Sequence, residues 1–518
     1  MDISVLDIKH PTYDAETCRR YDALYRGGGA FRDMIDTFLL RNPDEPDSVY
    51  SKRRREAYFR SYAGPIVDFF VAKLFSAALI IRAKRASGTE DTIPDQFYSA
   101  FKEDVDGAGT DFVDFVRARF ASACVKGRAW WVAELPDNDG REPLNRAEWQ
   151  ERDLGRVVLC PIENEQVFDW EVDERGRLLW AIVYSSECRR DDPFRSRSTI
   201  TETWKLYDRE YVETFVAERR LDKPRPEKAE SKERKLHGFR RVPLISLGFL
   251  GTRGLRVTLR GKPVAVSPSA VEGLWVLNRI ADAQIEHFRL SCARSWNLKR
   301  TCFAMPVFRL KERRPPTMGA GYFIMVGEGE DVTWAAPPTA HLQIMGEAIA
   351  DEKEEIYRVA QQMSQGVENN AAAIGRSGES KAVDSAAIDV CLRVYGALCK
   401  GPIEDTLELV AEARNETDIA WHVEGLDTFN LSDATATVEN AVQVAGLNIP
   451  SATFQRALFE RVAAHMLPNA DQTTLDAIRS ELLQNVSPES IVTTGRDELP
   501  PLEDEPDGSS AAAEASGE

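Results

Sequence analysis

Catalysis needs a nucleophile, a base or a set of metal ligands at workable spacing, and this chain offers few. The histidines are His10, His237, His287, His341, His422 and His465, and none stands at a metal-ligand spacing from another. Neither HExxH nor GxSxG occurs. "GRSGESKA" approaches a phosphate loop, but Ser380 occupies the position before Lys381 where that loop needs glycine, and no strand precedes it. "GEGED", beginning at Gly327, suits a tight turn and lacks the ligand pattern of a calcium loop. His287 lies in an apolar helical run and reads as a packed or hydrogen-bonded side chain. The reading is therefore of a chain with no catalytic residue, no metal and no cofactor.

Charge is distributed more distinctively. "NLKRTCFAMPVFRLKERRPP" carries Lys299, Arg300, Arg309, Lys311, Arg313 and Arg314 against Glu312 alone, a net +5. The next long helical segment carries Glu347, Asp351, Glu352, Glu354 and Glu355 against Lys353 and Arg358, a net −3. In a monomer these are solvated faces. Around a ring axis each imbalance is multiplied by the number of copies. Formal net charge is −18 over 518 residues, which argues against one global basic surface that grips nucleic acid. The eight cysteines (Cys18, Cys124, Cys160, Cys188, Cys292, Cys302, Cys391, Cys399) form no CxxC pair and read as reduced core fillers.

The elements that position these charges follow from periodicity. "DAETCRRYDALYRGGGAFR" predicts a helix stopped by Gly27, Gly28 and Gly29. "SKRRREAYFRSYAG" leads into an apolar helix. The longest apolar run, residues 66–81, is short for a membrane span and is broken by Asp68 and Lys73, so a buried helix is expected. Another helix closes at Gly127. "QVFDWEVDERGRLLWAIVYSSE" and "TITETWKLYDREYVETFVAE" each read as two strands about a turn, and residues 219–235 as a charged, proline-broken loop. Ser267 and Pro268 predict the start of a long helix. Three short strands follow (302–310, 321–327, 331–338), then a second long helix from Thr339. A small polar stretch spans 366–387, and a third helix meets Gly401-Pro402, where a kink or break is expected. Strand "DIAWHVEGL" and a run of short helices to about residue 485 complete the chain before an acidic tail. The fold class expected is α+β.

This order of elements resembles the portal proteins of tailed bacteriophages: a long helix, a small β-module, a second long helix, a small polar loop, a kinked helix and a C-terminal helical region. The early "YDALYRGGG" and the tyrosine-rich lead into "IVDFF" are also similar to one portal group. The resemblance covers the chain to about residue 490. It implies a portal-protein fold: a mixed α/β wing (1–266 and 385–430), stem helices (267–296 and 340–365), a β-containing clip (297–339), a tunnel loop (366–384), a helical crown (431–490) and a disordered tail (491–518).

The implied function is a homo-oligomeric ring of twelve subunits at one capsid vertex. It would be a conduit for double-stranded DNA and a docking platform for the terminase large subunit, the head-tail adaptor protein and the major capsid protein. The implied place is the virion, and the host cytoplasm during assembly, with no membrane. Asn369, Asn370, Arg376, Ser377, Ser380 and Lys381 would face DNA. Glu347, Asp351, Glu354 and Glu355 would line the channel, and Arg309, Lys311, Arg313 and Arg314 would dock partners at the clip. Small residues in the loop permit close approach around moving DNA, and two cations per subunit avoid tight phosphate pairing. The alternatives are another ring-forming phage structural protein, or an enzyme with a ligand site between wing and stem.

Residues 496–518 hold eight acids against Arg496 and too few apolar side chains to bury a core. Deleting them is expected to leave folding and assembly intact. Loss of solubility on that truncation, measured by sedimentation, would show the segment to be structural.

Overall fold

The computed structural model describes residues 1–76, 79–85, 96–136, 148, 155–190, 199–251, 255–259, 262–266, 271–301, 305–309, 331–335, 340–363, 378–416 and 419–426, and scattered positions from 443 to 482. It is mixed helix and sheet, and it divides into two compact units, Met1–Phe429 and Asn430–Glu518. In the second unit nearly all the described residues have helical backbone, among them Phe454, Gln455 and Arg456.

The first unit opens with a cluster of short helices. Helix α1 (Ile3–Leu6) is followed by α2 (Ala15–Arg26), which is capped by the Asp14 side chain accepting from the Thr17 N–H. Gly27, at φ 62°, ends α2, as its composition predicts. Gly28 and Gly29 do not extend that stop: they begin α3 (Gly28–Asp33), with α4 (Ile35–Phe38) and α5 (Asp47–Glu56) beyond. The apolar run divides. Helix α6 (Ala63–Leu74) ends well before Ile81, and strand β1 (Leu79–Arg85) takes the rest. A short apolar segment such as 79–81 fits either state, and here cross-strand pairing decides, because β1 pairs antiparallel with β14 (Ile419–Gly425). Helices α7 (Gln96–Glu103) and α8 (Phe112–Lys126) follow. Asp111 caps the N-terminus of α8, and left-handed Gly127 closes it.

Three strands, β2 (Arg128–Glu134), β3 (Val158–Ile162) and β9 (Leu244–Gly248), form a sheet ordered β3-β2-β9. A five-stranded antiparallel sheet runs β4 (Val167–Val172), β5 (Leu178–Arg189), β6 (Thr199–Tyr207), β7 (Tyr211–Arg220) and β8 (Glu230–Leu236), in that order. Strand β8 corrects the expected loop. Its residues are all exposed, as suits a charged edge strand that discourages pairing with another chain, and Ser231 and Lys232 reach Glu213 and Glu218 on β7. Two hairpins, β10 (Leu255–Leu259) with β11 (Lys262–Val266) and β12 (Met305–Arg309) with β13 (Asp331–Ala335), stand apart from these sheets.

Strand β2 is buried on both faces. Alternation sends Ala129, Trp131 and Ala133 into the large helical core, and Trp130 and Val132 into a second core with Trp170, Val183 and Tyr207 of the five-stranded sheet. Where β2 leaves α8, Lys126 is buried and its Nζ lies 2.6 Å from Glu163 and 2.8 Å from Glu165. Burial disfavours the Lys126 charge, but hydrogen bonds to the two carboxylates outweigh it, and its pKa is raised. Burial likewise works against the Glu163 carboxylate, yet Lys126 and Arg119 hold its pKa below the ordinary value.

A depressed carboxylate stabilises the fold above its unfolded pKa and loses that contribution as pH falls through the folded value. A raised amine contributes below its unfolded pKa and loses it as pH rises through the folded one. Lys126→Met is therefore expected to cost about 1–3 kcal/mol at neutral pH. The acid limb below about pH 4.5 and the alkaline limb should both become shallower than in the parent. Urea midpoints across pH check this.

Candidate functional site

Two long helices dominate the second half of the first unit: α9 (Val276–Thr301) and α10 (Ala340–Met363), joined through the β12–β13 hairpin segment. They run antiparallel. The Asn297 amide meets the Met345 sulfur at 3.7 Å, the Arg294 guanidinium lies over Gly346, and Glu286 acts on Glu352.

Helix α9 starts at Val276, later than its sequence signals predict. Before it, Glu272–Leu274 is a 3-10 turn and Trp275 is extended. Gly273 weakens helix there, and burial of Trp275, whose indole N–H donates to the Val125 carbonyl at 3.3 Å, holds the extended residue in place. At its other end the helix continues to Thr301, beyond the expected 296.

The inner face of α9 carries Val276, Leu277, Ile280, Ala281, Ile285, Phe288 and Cys292, all buried in the large core. Gln284, His287 and Ser291 are the buried polar residues in that stripe. Gln284 is fully buried, and its Oε1 accepts from the Tyr62 N–H at 2.7 Å and the Ala63 N–H at 3.2 Å. Its Nε2 donates to the Arg60 carbonyl at 3.1 Å. Tyr62 supplies no side-chain cap to α6, so Gln284 caps that helix from across the core. Arg289 similarly donates from Nε to the Phe38 carbonyl at the end of α4, at 3.0 Å. His287 is buried edge-on to Tyr62, as expected of a packed side chain.

On α10, Met345, Ile349, Glu352, Ile356 and Ala360 are wholly or partly covered, while Glu347, Asp351 and Glu354 are exposed on another face with Ile344. Glu355 is bound to Arg358 at 2.6 and 2.7 Å, so its charge is locally offset. A cleft of about 530 Å³ between the helices is lined by Arg20, Asp282, Glu286, Arg289 and Glu352. Burial raises the Glu352 pKa, and the like charges of Glu286, Glu355 and Asp351 add to it.

Of the basic residues expected at the clip, Arg309 is exposed on β12 and in register with Asp331, while Lys311, Arg313 and Arg314 lie outside the described residues. So do Asn369, Asn370, Arg376 and Ser377, the segment 321–327 and most of the C-terminal region. Ser380 and Lys381 correct the expected loop boundary, because helix α11 (Gly378–Ala413) already contains them. The stretch "ESKAVDSAA" lacks an apolar stripe but is rich in alanine, the strongest helix former, and has Glu379 and Asp384 near the favourable N-terminal end. Pro402 does not break α11 either, and the helix runs through it. Among the described residues no group of His, Cys, Asp and Glu is placed to hold a metal ion, and no helix is long and apolar enough to cross a membrane.

No protein-family model matches the chain, and no curated protein matches it. Among solved structures, the chain is similar over most of its length to chains of gene transfer agent (GTA) particles. The neck of an empty GTA particle computed with C6 symmetry shares 12% identity over 84% of this chain and 95% of the other, with a TM-score of 0.37. The virion of a native GTA particle shares 11% over 83% and 93%, with a TM-score of 0.35. The neck of a native GTA particle computed with C12 symmetry shares 10% over 79% and 91%, with a TM-score of 0.36. At such identities and scores the likeness carries no function across.

Gln284→Leu removes one donor and one acceptor and strands two N–H groups and a carbonyl. It is expected to cost about 2–4 kcal/mol. Hydrogen exchange should show lost protection concentrated at the start of α6. A change below 0.5 kcal/mol on the scale of ordinary surface substitutions would mean the amide is dispensable.

Proposed function

We propose that the chain is a portal-like subunit of a phage-type particle, one copy in a closed ring that conducts double-stranded DNA. The observation that carries this reading is the α9–α10 pair, anchored to the core along α9 while α10 keeps Glu347, Asp351 and Glu354 exposed on one face. Repeated around an axis, that face is an acidic wall. An acidic wall repels a polyanion and so lets it slide, whereas each paired phosphate would add affinity that movement must break. In this reading Glu355 contributes less to the wall than its neighbours, because Arg358 holds it.

The remaining assignments follow as parts of the same proposal. Residues 366–377, with Asn369, Asn370, Arg376 and Ser377, are the part of the chain nearest DNA, and Ser380 and Lys381 adjoin them in the first turn of α11. The β12–β13 hairpin and its flanks, with Arg309, Lys311, Arg313 and Arg314, are the docking end for a packaging motor and a tail adaptor. The ring number is twelve, the place is a capsid vertex, and the protein has no catalysis of its own.

Purified full-length protein is expected to assemble into closed rings with a central hole, read by mass photometry and negative-stain imaging. A stable monomer at high concentration would overturn the reading. Within rings, Glu347→Lys with Asp351→Lys is expected to leave assembly intact and reduce the length of packaged DNA; normal packaging would remove the acidic wall from the mechanism.

A further inference from the structure

Helix α5 buries no residue, which is unusual for an element that remains ordered against a large core. Polar contacts hold it. Arg53 turns inward and pairs with Glu45 at 2.8 Å, the two side chains being 10% and 6% exposed, and its guanidinium also donates to the Leu40 carbonyl at 2.6 Å. Tyr50 donates to Asp36 at 3.0 Å, and Lys299 of α9 pairs with Glu56 at 2.9 Å. Pinning Arg53 sets the rotation of the helix, and the flanking Arg54 and Arg55 are thereby exposed. Together with Ser51, and with Arg32 from α3, they line an open cleft of about 320 Å³ with Ile35 at its floor.

We infer that this cleft binds phosphate groups of a nucleic-acid backbone. Its lining supplies three guanidinium groups and a hydroxyl, a donor set suited to phosphate oxygens. Arg54 is partly offset by Asp36 at 2.9 Å. Arg32 and Arg55 form no ion pair among the described residues, so their charge is available. The cleft is shallow and has one apolar residue, which is buried, so it lacks the apolar anchor a docked peptide would use. It also lacks the enclosure that a small free ligand needs. A phosphodiester chain passing across it needs neither.

This surface is separate from the acidic face of α10, and the inference stands whether or not the chain forms rings, since binding is read on whatever assembly it adopts. The test is fluorescence anisotropy with the full-length protein and a labelled duplex of about thirty base pairs, at about 50 and 200 mM salt. Arg32→Glu with Arg55→Glu is expected to weaken binding at least tenfold at the lower salt and to flatten the slope of log K against log salt by about 2. Arg32→Lys with Arg55→Lys is expected to stay within about threefold of the parent, because phosphate contact by a point charge survives. The unfolding midpoint should be unchanged in both variants, the side chains being exposed. Unchanged DNA affinity in the Glu variant would overturn the inference. So would poly-glutamate binding as tightly as the duplex, which would mark a site for an acidic polypeptide. Displacement of the duplex by inorganic phosphate, beyond that by chloride at equal ionic strength, would mark a site for the free anion and overturn it equally.

Discussion

Much of the first unit depends on a single side-chain amide. At the start of helix α6 the Ser61 hydroxyl accepts from the Gly64 N–H at 3.0 Å, but Tyr62 supplies no side-chain cap, and a helix start against an apolar core leaves further N–H groups that water cannot reach. Gln284 answers two of them and satisfies the carbonyl before them, from a position inside the apolar stripe of α9. The bond is directional, so it fixes both the rotation of α9 and its height along α6. Leucine would fill similar space, but it would fix neither. The antiparallel α10 is placed in turn by α9.

A second constraint acts at the junction of helix and sheet. Strand β2 separates two cores, and its two tryptophans point to opposite sides. The Trp131 indole donates to Thr406 of α11 at 3.1 Å, and the Trp130 indole donates to Asn164 at 3.1 Å. The strand thus couples α11 to the turn that opens the five-stranded sheet. Arg128 at its start is buried with no carboxylate partner among the described residues, and burial lowers its pKa to about 10. Its guanidinium donates to the Leu250 and Gly251 carbonyls and lies against Trp130 and Trp170. The charge is solvated by carbonyl dipoles and aromatic faces in place of a counter-ion.

Local chemistry was legible in the sequence wherever it decided the structure alone. Asp111 and Gly127 bracket α8, and the alternating runs around Asp173 and Asp208 form β4 to β7 as read. Two differences arise where a paired strand decides. Residues 79–85 are strand because β14 lies beside them, and 230–236 are strand because β7 does. Residues 378–387 lack an apolar stripe and so read as loop, yet they belong to α11, since alanine needs no stripe to be helical. At the candidate site, the acid run on α10 was visible as a charge imbalance, whereas its partial neutralisation at Glu355 required the structure. Gln284 leaves a signal in the sequence: a lone amide among Ile280, Ala281, Ile285 and Phe288 asks where its hydrogen bonds go. "SKRRR" reads only as the approach to α6, because charge alone does not reveal that Arg53 turns inward and Arg54 and Arg55 outward.

The close approach of α11 to the residues after β14 has a consequence on an evolutionary scale. At Gly396 any Cβ would collide with the Leu426 carbonyl oxygen, and Leu426 itself is held at φ 54° after Gly425 at φ 85°. No rotamer choice relieves a clash between a Cβ and a backbone carbonyl. Position 396 is therefore closed to drift while the helix surface around it, with exposed Arg393 and Ala397, remains open to it. Across diverged copies of this fold the invariant mark of α11 would be a glycine, found by its persistence where every neighbour on the exposed side has changed.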